Sequence, residues 1–121
     1  MANPEHLAII KKGADEWNRW REGAPDVVPD LAWADISGLA LDGANLAGAK
    51  MKLAFFKESS FKNADFTGAN LYGANFEKAN LAGAKMRGCN LEGAHLIGSN
   101  IGDADTGGAN MRFARTEGHQ Y

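Results

Sequence analysis

Ala44-Asn45-Leu46-Ala47-Gly48, Ala64-Asp65-Phe66-Thr67-Gly68 and Ala69-Asn70-Leu71-Tyr72-Gly73 are three versions of one five-residue block. Traced outward, the block repeats without insertion from Pro29 to Phe113, 17 times in all. Its third residue is the centre, beginning at Leu31 and ending at Met111, and 16 of the 17 centres are large and apolar, with Thr106 the exception. Two positions before the centre stands Ala in 12 blocks, with Ser59, Ser99 and Cys89 in the same role and Pro29 and Leu39 departing. Two positions after the centre stands Gly in 10 blocks.

A period of five matches neither the 3.6 of a helix nor the 2 of a strand. It fits a short extended piece followed by a bend. The small residue and the centre point inward, the residue between them points out, and two residues turn the corner. Asn or Asp dominates the place just before the centre, where such side chains bond locally to turn backbone. Glycine at the corner accepts backbone angles that a side chain resists. Corners that always turn the same way wind the chain into a solenoid, whose coils pair like parallel strands about 4.8 Å apart.

The blocks quoted above resemble the A-(D/N)-L-x-x motif of the pentapeptide repeat family. That resemblance implies an all-β solenoid, a right-handed quadrilateral parallel β-helix of about four coils with an N-terminal α-helix cap. Handedness and the number of blocks per coil come from the resemblance alone. With four blocks per coil, residues 20 apart stack: Ile36, Phe56, Phe76 and Leu96 in one inner column, Leu41, Phe61, Leu81 and Ile101 in another. Asn70, Asn90 and Asn110 would then stand in line as an amide ladder.

The expected organisation is a helical cap and linker over 1–28, the β-helix over 29–116 and a C-terminal tail over 117–121. Asn3-Pro4 reads as an N-cap with proline at the first helical position. Leu7, Ile10, Ala14, Trp17 and Arg21 follow at helical spacing until Gly23, predicting one helix laid as a lid on the first coil, with Trp17 and Trp20 against its core. A similar Trp-x-x-Trp-Arg segment precedes the repeats in many bacterial members of the family. The C-terminus has no comparable lid, so Met111 and Phe113 form a candidate dimer end, joining two copies end to end as in the gyrase-protecting members of the family.

Little in the chain points to catalysis. The single cysteine excludes an intramolecular disulfide and multi-cysteine metal sites. Cys89 takes an inward small-residue slot, as a buried structural thiol does. His6, His95 and His119 are far apart in sequence, so no metal site is expected, and no cofactor. No 18-residue apolar run and no charged-then-apolar leader are present, so neither a membrane span nor a signal peptide is expected and the cytoplasm is the default compartment.

What remains is the outer surface. Residues 49–63 depart most from the pattern: Lys50, Lys52, Lys57 and Lys62 point out, Leu53 replaces a corner glycine, and Phe55 takes an Asn/Asp slot. Stacking places Trp33 over Leu53 with Phe55 beside them, a candidate contact patch for an unidentified protein partner, rimmed by Lys52 and Lys57. In the alternative, residues 24–30 or the lid cover it. Tyr72 and Ile97 read as isolated outward residues.

The favoured function is a non-enzymatic interaction or scaffold module. The alternative, taken from the family, is a DNA mimic that binds DNA gyrase. Duplex DNA carries one charge per ~1.7 Å, so a mimic ~20 Å long wants about a dozen uncompensated charges. From Pro29 to Tyr121 there are 10 acidic and 9 basic residues, and the whole chain has a formal charge of −2. That balance also speaks against nucleic-acid binding through bulk positive charge.

Overall fold

In the computed structural model the described residues are 1–116. The predicted tail and His119 lie outside them. Two helices open the chain, α1 (Pro4–Ile10) and α2 (Ala14–Gly23), where the sequence predicted one. The break falls at Gly13, whose φ of 108° suits glycine and which serves as the N-cap of α2. The resulting hairpin lets both Ile10 and Trp17 reach the core, each fully buried. Asn3 caps α1 as expected, its Oδ1 accepting from the Glu5 N–H at 2.8 Å.

From Asp30 to Arg115 the repeat folds into coils of 20 residues. Parallel bridges join residues 20 apart, from Asp30↔Lys50 and Asp35↔Phe55 to His95↔Arg115. Each bridge is a single residue, and among the described residues no continuous strand forms. The expected parallel strands are therefore shortened to points of pairing, because each block gives two of its five residues to a turn. In that turn the centre carbonyl accepts from the N–H three residues on, as in Ser59 to Phe56 at 3.1 Å. The residue two after the centre has positive φ, between 59° and 76°, in every block except the one containing Asp103. This is the signature of a type II turn. The Asn/Asp before the centre bonds to the N–H two residues on, as Asp65 does with Thr67 (2.9 Å) and Asn75 with Glu77 (2.9 Å).

Three backbone bonds per block hold one coil to the next. Between the Phe56 block and the next coil they are Phe56 N–H to Asn75 O (2.7 Å), Glu58 N–H to Glu77 O (2.9 Å) and Asn75 N–H to Ala54 O (2.9 Å). Phe56 and Phe76 stack with ring centroids 4.7 Å apart, and Phe61 and Phe66 join them edge-on. The amide ladder forms in part: Asn110 Nδ2 donates to Asn90 Oδ1 at 3.3 Å, with no such rung between Asn90 and Asn70. An unforeseen rung joins Asn100 to Asn80 at 2.9 Å.

The register slips once. Residues Ile101–Asp103 form a short 3₁₀ turn, and the Asn100 side chain, not its carbonyl, accepts the Leu81 N–H. Gly83 then pairs with Asp103 O, and regular pairing resumes at Lys85 and Asp105. Ile101 consequently reaches its column only half-buried.

At the opposite end the lid does more than cover apolar surface. Its polar groups stand where a preceding coil's backbone would. The Asn3 N–H donates to Asp30 O at 3.0 Å, and His6 Nδ1 accepts from the Asp30 N–H at 3.0 Å. On the Leu46 face, Asn18 Oδ1 accepts from the Asn45 N–H (2.7 Å) while Trp17 Nε1 donates to Asn45 O (2.7 Å). The Arg21 guanidinium reaches Asn45 O at 2.9 Å and Ala47 O at 3.1 Å. Trp20 is half-buried, tilted against Trp17 and His6.

This double role separates two substitutions. Trp17→Ala removes a fully buried indole and should cost about 3–5 kcal/mol in urea unfolding. Trp17→Phe keeps most of the bulk and removes one of the two donors to Asn45 O, Arg21 remaining, for about 0.5–1.5 kcal/mol. A Phe variant as stable as the parent would show that the indole N–H is dispensable.

Candidate interaction surface

Trp33, Leu53, Gly73, Gly93 and Phe113 succeed one another along one outer corner, each 20 residues from the last. Six non-glycine residues occupy left-handed corners: Trp33, Leu53, Glu58, Asn63, Lys78 and Phe113. The three large apolar ones all stand on this corner. A left-handed φ at a bulky residue costs on the order of 1 kcal/mol, and solvent exposure returns none of it. Trp33 is 54% exposed and Phe113 75% exposed.

Pairing brings the patch residues onto neighbouring coils. The Trp33 N–H bonds to Lys52 O (2.9 Å), the Leu53 N–H to Tyr72 O (2.8 Å), and Phe55 bridges both Asp35 and Asn75. Residues 24–30 leave Trp33 and Phe55 open, and Val27 and Val28 are themselves exposed. Leu53 lies over the next corner: a Cβ on Gly73 would stand 2.6 Å from Leu53 Cδ2. Tyr72 belongs to this surface rather than standing alone. Its ring lies 5.7 Å from Lys52 Nζ and it is 40% exposed. The signal was available, since Tyr72 is 20 residues beyond Lys52. Lys57 stands exposed past Phe55. Ser37 hydrogen bonds hold the Asp35 carboxyl below the usual carboxylate range, so this edge of the patch keeps a negative charge.

The two residues of the candidate dimer end diverge. Met111 is half-buried in its core column, whereas Phe113 stands on the flank under the Arg112 guanidinium, 5.6 Å away. On the last coil, the Thr106, Gly108, Met111 and Phe113 N–H groups have no hydrogen-bond partner among the described residues.

Other candidates gather no chemistry. Burial pushes the Cys89 thiol up to about 11 in its small-residue slot. His6 is committed to the lid, and His95 sits on the flank between Asn75 and Arg115. Among the described residues no three His, Cys, Asp or Glu side chains converge, and no helix is long and apolar enough to cross a membrane. A depression of about 270 Å³ on the lid is lined by Ile9, Lys12, Glu16, Arg19 and Trp20, with Arg19 paired to Glu16 at 2.8 Å.

A solenoid of five-residue blocks with a left-handed corner in nearly every block defines a pentapeptide repeat fold. The family model for pentapeptide repeats matches residues 40–77 and 74–112, and the chain belongs to that family. Among solved structures it is similar to HetL, a pentapeptide repeat protein involved in heterocyst differentiation regulation from the cyanobacterium Nostoc sp. strain PCC 7120. That match has 29% identity and a TM-score of 0.61, over 71% of this chain and 38% of HetL. The Nostoc pentapeptide repeat protein alr5209 matches at 22% identity and a TM-score of 0.53, over 75% of this chain and 63% of its own. Rfr23 from the cyanobacterium Cyanothece 51142 matches at 33% identity and a TM-score of 0.45, over 78% and 67%. No curated protein matches the chain in sequence.

Two measurements test this description. Trp33→Gly relieves the left-handed strain and removes an exposed side chain, so its thermal midpoint should equal or exceed the parent's; a loss above about 1 kcal/mol would make Trp33 a structural residue. Cys89 should resist a thiol reagent at pH 8 and react once unfolded. Its raised folded pKa favours the neutral thiol, so the stability it confers is complete below the unfolded value near 9 and lost as pH climbs toward about 11.

Proposed function

We propose that the chain is a non-enzymatic protein-interaction module. In this reading a right-handed quadrilateral β-helix of about four coils holds Trp33, Leu53, Phe55 and Tyr72 as a preformed contact surface, with Lys52 and Lys57 at its rim. The observation that carries it is Trp33, a large aromatic side chain 54% exposed in a left-handed slot that 10 of the 17 blocks fill with glycine. Residues that are strained and also exposed are concentrated where a surface is used. Backbone pairing fixes these side chains' attachment points in advance, so binding forfeits little conformational entropy.

Charge weighs against DNA mimicry. Lys50, Lys52, Lys57 and Lys62 band the second coil, interrupting any acidic stripe along the rod. The test compares wild type with Phe55→Ser as bait in an extract of the native cell, beside a gyrase supercoiling assay. One or more partners should be lost with Phe55→Ser while supercoiling is unaffected at low micromolar protein. Equal recovery of every partner by the two baits would retire the surface. Inhibition of gyrase that weakens with salt would favour mimicry instead.

A further inference from the structure

The corner carrying Trp33 has a second property, which rests on reading this surface as a contact site and names its occupant. Set two rods side by side and antiparallel, related by a twofold axis that runs between them, perpendicular to both, level with Gly73 of each. Each outer column then faces itself in reverse order. In the column of Lys52, Tyr72 and Glu92, the lysine of one copy meets the glutamate of the other. In the column of Asp35, Phe55, Asn75, His95 and Arg115, Asp35 meets Arg115 and Phe55 meets His95. On the corner itself, Trp33 meets Phe113, and Leu53 faces Gly93, where a Cβ would have nothing within 4 Å. Asp30 and Lys50 fall opposite Asn110 and Asn90, so no like charges oppose on this strip.

From this we infer that the Trp33 corner is a self-complementary surface that takes a second copy of the chain in antiparallel, side-by-side contact. A twofold contact requires residue i to meet j while j meets i, and opposite charges, an aromatic pair and a side chain facing a gap all satisfy that here. The charges concerned are not neutralised by an opposite charge on the same copy. Among the described residues Lys52, Glu92, Asp35 and Arg115 form no salt bridge; Glu92 accepts only from Asn110 Nδ2 (3.2 Å), Asp35 from the Ser37 N–H, and Lys52 lies over the Tyr72 ring, whereas Arg87 is engaged with Asp105 at 3.2 Å. The strip has a natural boundary. One column further, reversal would set Lys57 against Ile97 and Glu77 against its own copy.

A strip ~20 Å long buries only a few hundred Å² on each copy, which is the size of a weak, transient contact, sought from micromolar to millimolar concentration. Sedimentation across that range reads the affinity. Lys52→Glu and Glu92→Lys should each weaken association about tenfold by opposing like charges twice, and the double swap should restore it. Asn75 sits level with the axis, so Asn75→Cys should form a disulfide-linked dimer on mild oxidation, while Lys57→Cys should not. The cysteine is accommodated because Phe55, Lys85 and His95 hold equivalent slots. Circular dichroism confirms that each variant is folded.

A monomer at millimolar concentration would overturn the inference. So would charge reversals that the double swap fails to rescue, or a dimer insensitive to Lys52→Glu and broken only by changes at Met111, which is end-to-end association. If self-association fails while Phe55→Ser still loses a partner, the surface stands and its occupant is another protein. If neither responds, both readings fall.

Discussion

Backbone pairing of residues 20 apart, coil to coil, is the constraint on which everything else in this molecule rests. Each interior coil gives N–H groups to both neighbours and takes them from both, so no interior coil can be tilted or shifted alone. The Phe stack at 56 and 76, the buried alanines and the outward columns are consequences of that register. The same constraint creates the problem at each end. An outermost coil has donors and acceptors aimed along the axis with nothing beyond. At the start of the rod His6, Asn18, Trp17 and Arg21 fill two of the four faces, at Asp30 and around Asn45. The Asp35 and Ala40 N–H groups on the other two faces remain without a partner among the described residues.

Much of this could be read from the chain because the period is strict. Centres, small residues and corners repeat with so few exceptions that the stacking of Phe56 on Phe76 follows once the family resemblance supplies four blocks per coil, whereas the exposure of Trp33 and Phe55 depended on where residues 24–30 run. What could not be read is local or polar. Gly13 interrupts a helical spacing of apolar residues that is otherwise continuous, and its effect shows only when Ile10 and Trp17 must both reach the core. Asn18 looks like an ordinary outward residue of α2, and Arg21 like the polar end of its inward spacing. Their role depends on which carbonyls the first coil leaves open, which no periodicity reports. The slip at Ile101–Asp103 had a faint sign, glycine one place early at Gly102 and Asp103 at the corner. Tyr72 was misjudged by treating its column apart from the adjacent corner.

The exposed corners show where sequence and backbone disagree most. Glycine meets the left-handed requirement at most corners, and polar Glu58, Asn63 and Lys78 meet it at others. Trp33, Leu53 and Phe113 all bring backbone strain, Trp33 and Phe113 bring apolar exposure with it, and all three stand on one edge of four. Core packing cannot account for that distribution, since none of the three belongs to the core. The rigid scaffold tolerates the strain because three inter-coil bonds per block hold the corner in place whatever side chain it bears.

The lid's imitation of a missing coil sets a rule for how such a rod can change in length. Because α1 docks on the face at Asp30 and α2 on the face at Asn45, the molecule accepts growth or shortening only in whole windings. Losing or gaining a lone five-residue block would turn everything beyond it by a quarter revolution, leaving a face of aromatic side chains aimed elsewhere. Length in this architecture is quantised, and the quantum is set by where the cap grips.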